Sequence, residues 1–73
     1  MKPTAFHKWI MQSTGGDIDK IADLLLYEIV NNKNKQAFDL LDASVQDYIE
    51  VDFKKVAEYL VSICNEENGK EAN

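Results

Sequence analysis

Arginine is absent from this chain, and cysteine, proline, histidine and tryptophan each occur once, as Cys64, Pro3, His7 and Trp9. The absence of arginine and the scarcity of cysteine and histidine close off several classes of protein. Without the guanidinium fork, the usual bidentate contact to guanine or phosphate is missing. Eight lysines stand against thirteen acids, a net charge of −5, and that balance opposes binding to a phosphate backbone. Direct nucleic-acid binding is therefore not expected. One thiol cannot close an intrachain disulfide, and one thiol with one imidazole cannot complete a zinc site. A lone cysteine suits a reducing interior, so a cytoplasmic location is expected. No apolar run approaches the roughly 18 residues of a membrane span. The opening Met-Lys-Pro-Thr lacks the apolar core of a secretory signal.

Catalytic and metal-binding patterns are missing as well. Gly15-Gly16 is not followed by the Lys and Ser or Thr of a phosphate-cradling loop. The acids between 39 and 52 lack the central glycine and alternating spacing of a calcium-binding loop. No Glu-x-x-His pair is present for a carboxylate-bridged di-metal centre. His7, between Phe6 and Lys8 on a short first helix, is expected to be exposed or half-packed and without a catalytic role. Cys64 falls in an apolar stripe, where a thiol behaves as a small hydrophobe. Neither enzyme activity nor a cofactor nor a metal is expected.

What remains is an all-α pattern. The chain reads as one small domain over residues 1–66, a bundle of three to four short helices, with residues 67–73 as a fraying tail. Thr4 is a suitable N-cap for a first helix over Ala5 to Ser13, with Phe6, Trp9 and Ile10 on one stripe. Gly15-Gly16 ends that helix. Asp17 caps a second helix to about Val30, whose apolar positions sweep about 240° of arc at helical periodicity. Such a helix is either packed on both sides or part of a subunit interface, and it is expected to be the most buried one. Asn31 to Asn34 is a polar connection. Asp52 caps a last helix from Phe53 to about Glu66.

The segment from Gln36 to Phe53 holds Asp39, Asp42, Asp47, Glu50 and Asp52 and no base. As one helix, at about 100° per residue, it places Asp39 and Glu50 within about 20° of each other, with Asp42 and Asp47 on either side. Leu41, Val45 and Tyr48 then line the opposite face. Ser44 and Asp47 also fit a capping box, which splits the segment into two helices. Four carboxylates over roughly 16 Å imitate the charge spacing of one DNA strand, about one per 3.4 Å. The function expected from this pattern is a small regulatory protein that binds a basic protein partner, in its sharpest form an inhibitor acting as a DNA mimic. The plain alternative is that the acids solubilise. A second class of function uses an apolar surface formed by Trp9, Leu24, Leu26 and Tyr27, which with Met11 cannot all face one small core. Aromatics and methionine favour interface centres, so that surface suits an assembly module or a homodimer.

Phe6-His7-Lys8-Trp9-Ile10-Met11, then Asp17 to Asp23 with Ile21-Ala22, and later Asp47-Tyr48-Ile49-Glu50 resemble the YozE-like family of short bacterial proteins. The resemblance implies a compact SAM-like domain of four or five helices without catalytic residues. The chain departs from the family in lacking Phe-Pro after the second helix and an aromatic-rich C-terminal stretch.

Overall fold

Short polar side chains decide where the helices of this protein begin. The Thr4 hydroxyl accepts a hydrogen bond from the His7 N–H at 3.3 Å and starts α1, Ala5–Thr14. Asp17 Oδ1 accepts from Lys20 N–H at 3.1 Å and starts α2, Ile18–Val30. Asn34 Oδ1 accepts from Gln36 N–H at 2.9 Å at the head of α3, Lys35–Ser44. Asp52 Oδ1 accepts from Lys54 N–H at 2.9 Å at the head of α4, Phe53–Ala72. Each bond satisfies an amide that the helix itself leaves without a partner. The structure is a computed structural model that describes residues 2–44 and 51–72, with side chains through Asn65. Among the described residues there are four helices and no strand.

The turn between α1 and α2 needs glycine. Gly15 and Gly16 hold φ of 66° and 80°, the left-handed region that side-chain-bearing residues enter at a cost. The buried Thr14 hydroxyl closes this turn. It donates to Ile10 O at 2.7 Å and accepts from Gly16 N–H at 3.3 Å.

Two helices hold the core together. The pairing of α2 with α4 is the most extensive contact between elements, and α1 and α3 pack on both of them. Ile21 and Leu25 from α2, Val56 and Leu60 from α4, and Ile10 from α1 are fully enclosed. Burying each such side chain contributes about 1.5–3 kcal/mol. The expectation that α2 is the most buried helix needs correction. It places Ile21, Ala22 and Leu25 in the core, whereas α4 places Val56, Ala57, Leu60, Ile63 and Cys64 there. The cause is the wide α2 stripe, which is not covered all round: Leu26 and Val30 stay exposed. Helix α4 continues past Glu66, to Ala72. Glu66, Glu67, Lys70, Glu71 and Ala72 favour helix after the apolar pattern fades, whereas Asn68 and Gly69 between them do not. The choice between one helix and two for residues 36–51 turns on residues 45–50, outside the described residues. Helix α3 itself is described to Ser44, and Val51 and Asp52 are not helical.

Glu28 fixes how α3 follows α2. It lies on the buried stripe of α2, with 7% of its surface exposed. Asn32 Nδ2 donates to its Oε2 at 2.6 Å and Asn34 Nδ2 to its Oε1 at 3.1 Å. The Asn34 backbone N–H also donates to Glu28 O at 3.0 Å. A carboxylate buried among apolar neighbours is tolerated only when its oxygens are hydrogen-bonded, and here the connecting loop supplies both donors. Lys33, between the two asparagines, takes a positive φ of 50° and donates from Nζ to Val30 O at 3.0 Å. Replacing Glu28 with Ala is expected to destabilise the fold by about 2 kcal/mol. Asn34→Ala should cost less when added to that variant than alone, as read from urea denaturation in a double-mutant cycle. Additive effects would mean that the two side chains do not act as one clamp.

Candidate functional site

Three regions of the surface carry chemistry, and the first and third share Asp39. The first is acidic. Asp39 and Asp42, three residues apart on α3, are both exposed, while Ala37, Leu40 and Leu41 on the other side are buried. Asp39 Oδ2 meets Lys35 Nζ at 3.4 Å, an exposed pair one helical turn apart. Such pairs contribute at most about 0.5 kcal/mol, so Lys35 only partly offsets the charge. Asp47 and Glu50, the other half of the expected acidic face, lie outside the described residues, as do Val45 and Tyr48. The structure therefore brings together two of the four expected carboxylates.

The second region is apolar. Trp9, Leu26, Tyr27, Val30 and Phe38 are exposed, Tyr27 and Val30 to 54% each. Leu24, expected among them, is half-buried and packs against the core, as does Met11. Leu24 lies near the buried stripe at 100° per residue, and α2 is closely enough packed to cover it. Leu26 and Val30 are one turn apart on α2, with Tyr27 beside them. Asp19, Lys20 and Asp23 occupy the same outward side nearer the start of the helix and are exposed. The outer face of α2 is thus charged in its first half and apolar in its second. Asp19 Oδ1 pairs with Lys54 Nζ at 3.2 Å, tying the starts of α2 and α4. Trp9 stands on α1, its ring 6.1 Å from that of Phe6. Val30 and Phe38 are additions to the expected apolar set. The wide stripe on α2 already signalled Val30, whereas Phe38 had no such signal.

The third region is a cleft of about 240 Å³ lined, among the described residues, by Thr4, His7, Gln36, Asp39, Leu40, Ala43 and Tyr59. It lies where the start of α1 meets α3 and α4. His7 is not exposed or half-packed as expected. It is 7% exposed, because its ring completes a capping box: Thr4 N–H donates to His7 Nδ1 at 3.0 Å. Glu or Gln usually occupies that position, so the pairing of Thr4 with a residue three further on was visible, but the imidazole disguised it. Burial lowers the His7 pKa from its ordinary value near 6.5, and the bond to Nδ1 also requires the neutral ring. Cys64 is buried, in keeping with its place on the α4 stripe.

Among the described residues no cluster of His, Cys, Asp or Glu could hold a metal ion. Among the described residues no helix is long and apolar enough to cross a membrane. No family model, curated protein or solved structure matches the chain.

The capping imidazole gives a pH dependence of known sign. The unfolded chain binds the His7 proton with its ordinary affinity and the folded chain more weakly. The contribution of His7 to stability is thus complete above about pH 6.5 and declines as pH falls through and below that value. Denaturant midpoints between roughly pH 7.5 and pH 5 should drop for the native chain and stay flatter for His7→Gln. Gln retains an acceptor for the Thr4 amide. Parallel curves would remove His7 as the cause.

Proposed function

We propose that this chain is a small non-enzymatic interaction module that pairs with a second copy of itself through the apolar half of the outer face of α2. The observation that carries this reading is the trio Leu26, Tyr27 and Val30. They are exposed and adjacent on a helix whose inner side is already full. A domain this small has little stability to spare, and covering three large apolar side chains on each of two copies adds to it at about 25 cal/mol per Å² buried.

The apolar positions agree with a copy as the occupant. Laying α2 antiparallel on its twin, centred at position 28, sets Leu26 of one copy level with Val30 of the other, and both are exposed. A self-complementary patch of this kind closes as a two-fold dimer. The lone buried thiol is compatible with the reducing conditions of the cytoplasm.

A second reading rests on α3. Asp39 and Asp42 are neighbours on its exposed side, which supports an acidic contact for a basic protein partner, including the DNA-mimic inhibitor. Such a complex weakens steeply as salt rises, whereas the apolar pairing changes little.

Sedimentation equilibrium decides the first reading. The native chain is expected to show a concentration-dependent monomer–dimer equilibrium that persists at high salt. Leu26→Asp with Val30→Asp should be monomeric with unchanged helicity, since both positions are exposed. A native chain that is monomeric throughout, or a variant that still dimerises, rejects the α2 pairing.

A further inference from the structure

Beyond any pairing through α2, we propose that the cleft between α1, α3 and α4 binds a small uncharged nitrogen heterocycle bearing an amino group, of the size and chemistry of a free nucleobase. Three observations lead there.

The first is a buried donor without a partner. His7 Nδ1 is occupied as an acceptor by the Thr4 amide, so the neutral ring carries its proton on Nε2. Among the described residues nothing in the protein accepts a hydrogen bond from that N–H. Buried polar groups almost always have a partner, and the cleft that His7 lines is where one can reach it. The missing partner is an acceptor atom, a ring nitrogen or a carbonyl oxygen.

The second is size and lining. The space of about 240 Å³ exceeds an engineered cavity of about 150 Å³ that takes up benzene. It falls short of the roughly 300 Å³ at which drug-sized pockets begin. Leu40 and Ala43 supply apolar wall and Tyr59 is half-buried beside them, a setting for the faces of one flat ring.

The third is charge. Asp39 lines the cleft with Oδ2 directed to Lys35 and its Oδ1 without a hydrogen bond among the described residues, and Gln36 lines the cleft with it. Carboxylate and amide oxygens accept from an exocyclic amine. The same carboxylate, on a chain of net charge −5, disfavours a phosphorylated or carboxylated ligand. Acceptor inward, amine outward and no negative charge describe an aminated heterocycle.

The single histidine makes the test unambiguous. Long-range ¹H–¹⁵N spectra of the full chain report Nε2 of His7 alone. Cytosine and adenine are titrated as probes, with toluene as a ring lacking an acceptor and benzoate as an anion. Cytosine or adenine is expected to shift Nε2 saturably, with matching amide shifts at Leu40 and Ala43. Toluene and benzoate should bind more weakly. His7→Glu keeps an acceptor for the Thr4 amide, as in the usual capping box, and has no N–H to donate, so base affinity should fall about tenfold, read at the same amides. Ala43→Leu fills the cleft without touching the cap and should abolish the shifts. No response to either base, equal binding of toluene, or undiminished binding by Ala43→Leu would each overturn the proposal.

Discussion

The packing of α2 against α4 is the constraint under which everything else in this protein is arranged. A chain of 73 residues has no disulfide to lean on, and ordering each residue costs about 1.5 kcal/mol. The enclosed side chains Ile21, Leu25, Val56 and Leu60 must therefore supply cohesion where the two helices meet. Small alanines, Ala22 and Ala57, sit in the same core and let the backbones approach. Helices α1 and α3 then pack on both members of that pair. These three neighbours cover the inner stripe of α2, and its outer side, with Leu26, Tyr27 and Val30, is left to solvent. The apolar face discussed above is a product of this geometry and of the wide α2 stripe together.

Polar groups in the interior do a different job. Glu28, Thr14 and His7 are the buried polar side chains among the described residues, and each sits where a helix meets a turn. Thr14 ties the end of α1 to the glycine turn, Glu28 ties the end of α2 to the next loop, and His7 ties the start of α1 to its own cap. Apolar packing is not directional and does not set the angle at which the chain leaves a helix. Hydrogen bonds with defined donors do.

Much of the fold was legible because its signals are local. Thr4, Gly15, Asp17 and Asp52 act within three or four residues of themselves, and the boundaries they imply hold in the structure. The exposure of Asp39 and Asp42 follows from helical periodicity alone. What periodicity does not carry is which neighbour covers a given flank. Leu24 and Leu26 stand on the two edges of one stripe, and only the positions of the other helices decide that Leu24 is packed and Leu26 is open. Glu28 was readable in part, as an acid seven residues after Ile21 and three after Leu25. Its donors Asn32 and Asn34 lie in a loop whose path the sequence does not specify. The cleft was invisible for the same reason, since its walls come from α1, α3 and α4 and meet only after folding.

The Asn34 residue has a mechanical consequence. Its side chain reaches back to Glu28 on α2 and forward to Gln36 on α3, and its own amide bonds to the Glu28 carbonyl. The two helices are thereby spliced through one side chain, with no slack between them. Lengthening the Asn31–Asn34 connection by a residue would leave the α2–α4 core whole and still displace the helix that supplies Gln36, Asp39, Leu40 and Ala43. Chain length at that junction, more than the identity of the surface residues, sets whether the far side of the molecule keeps its shape.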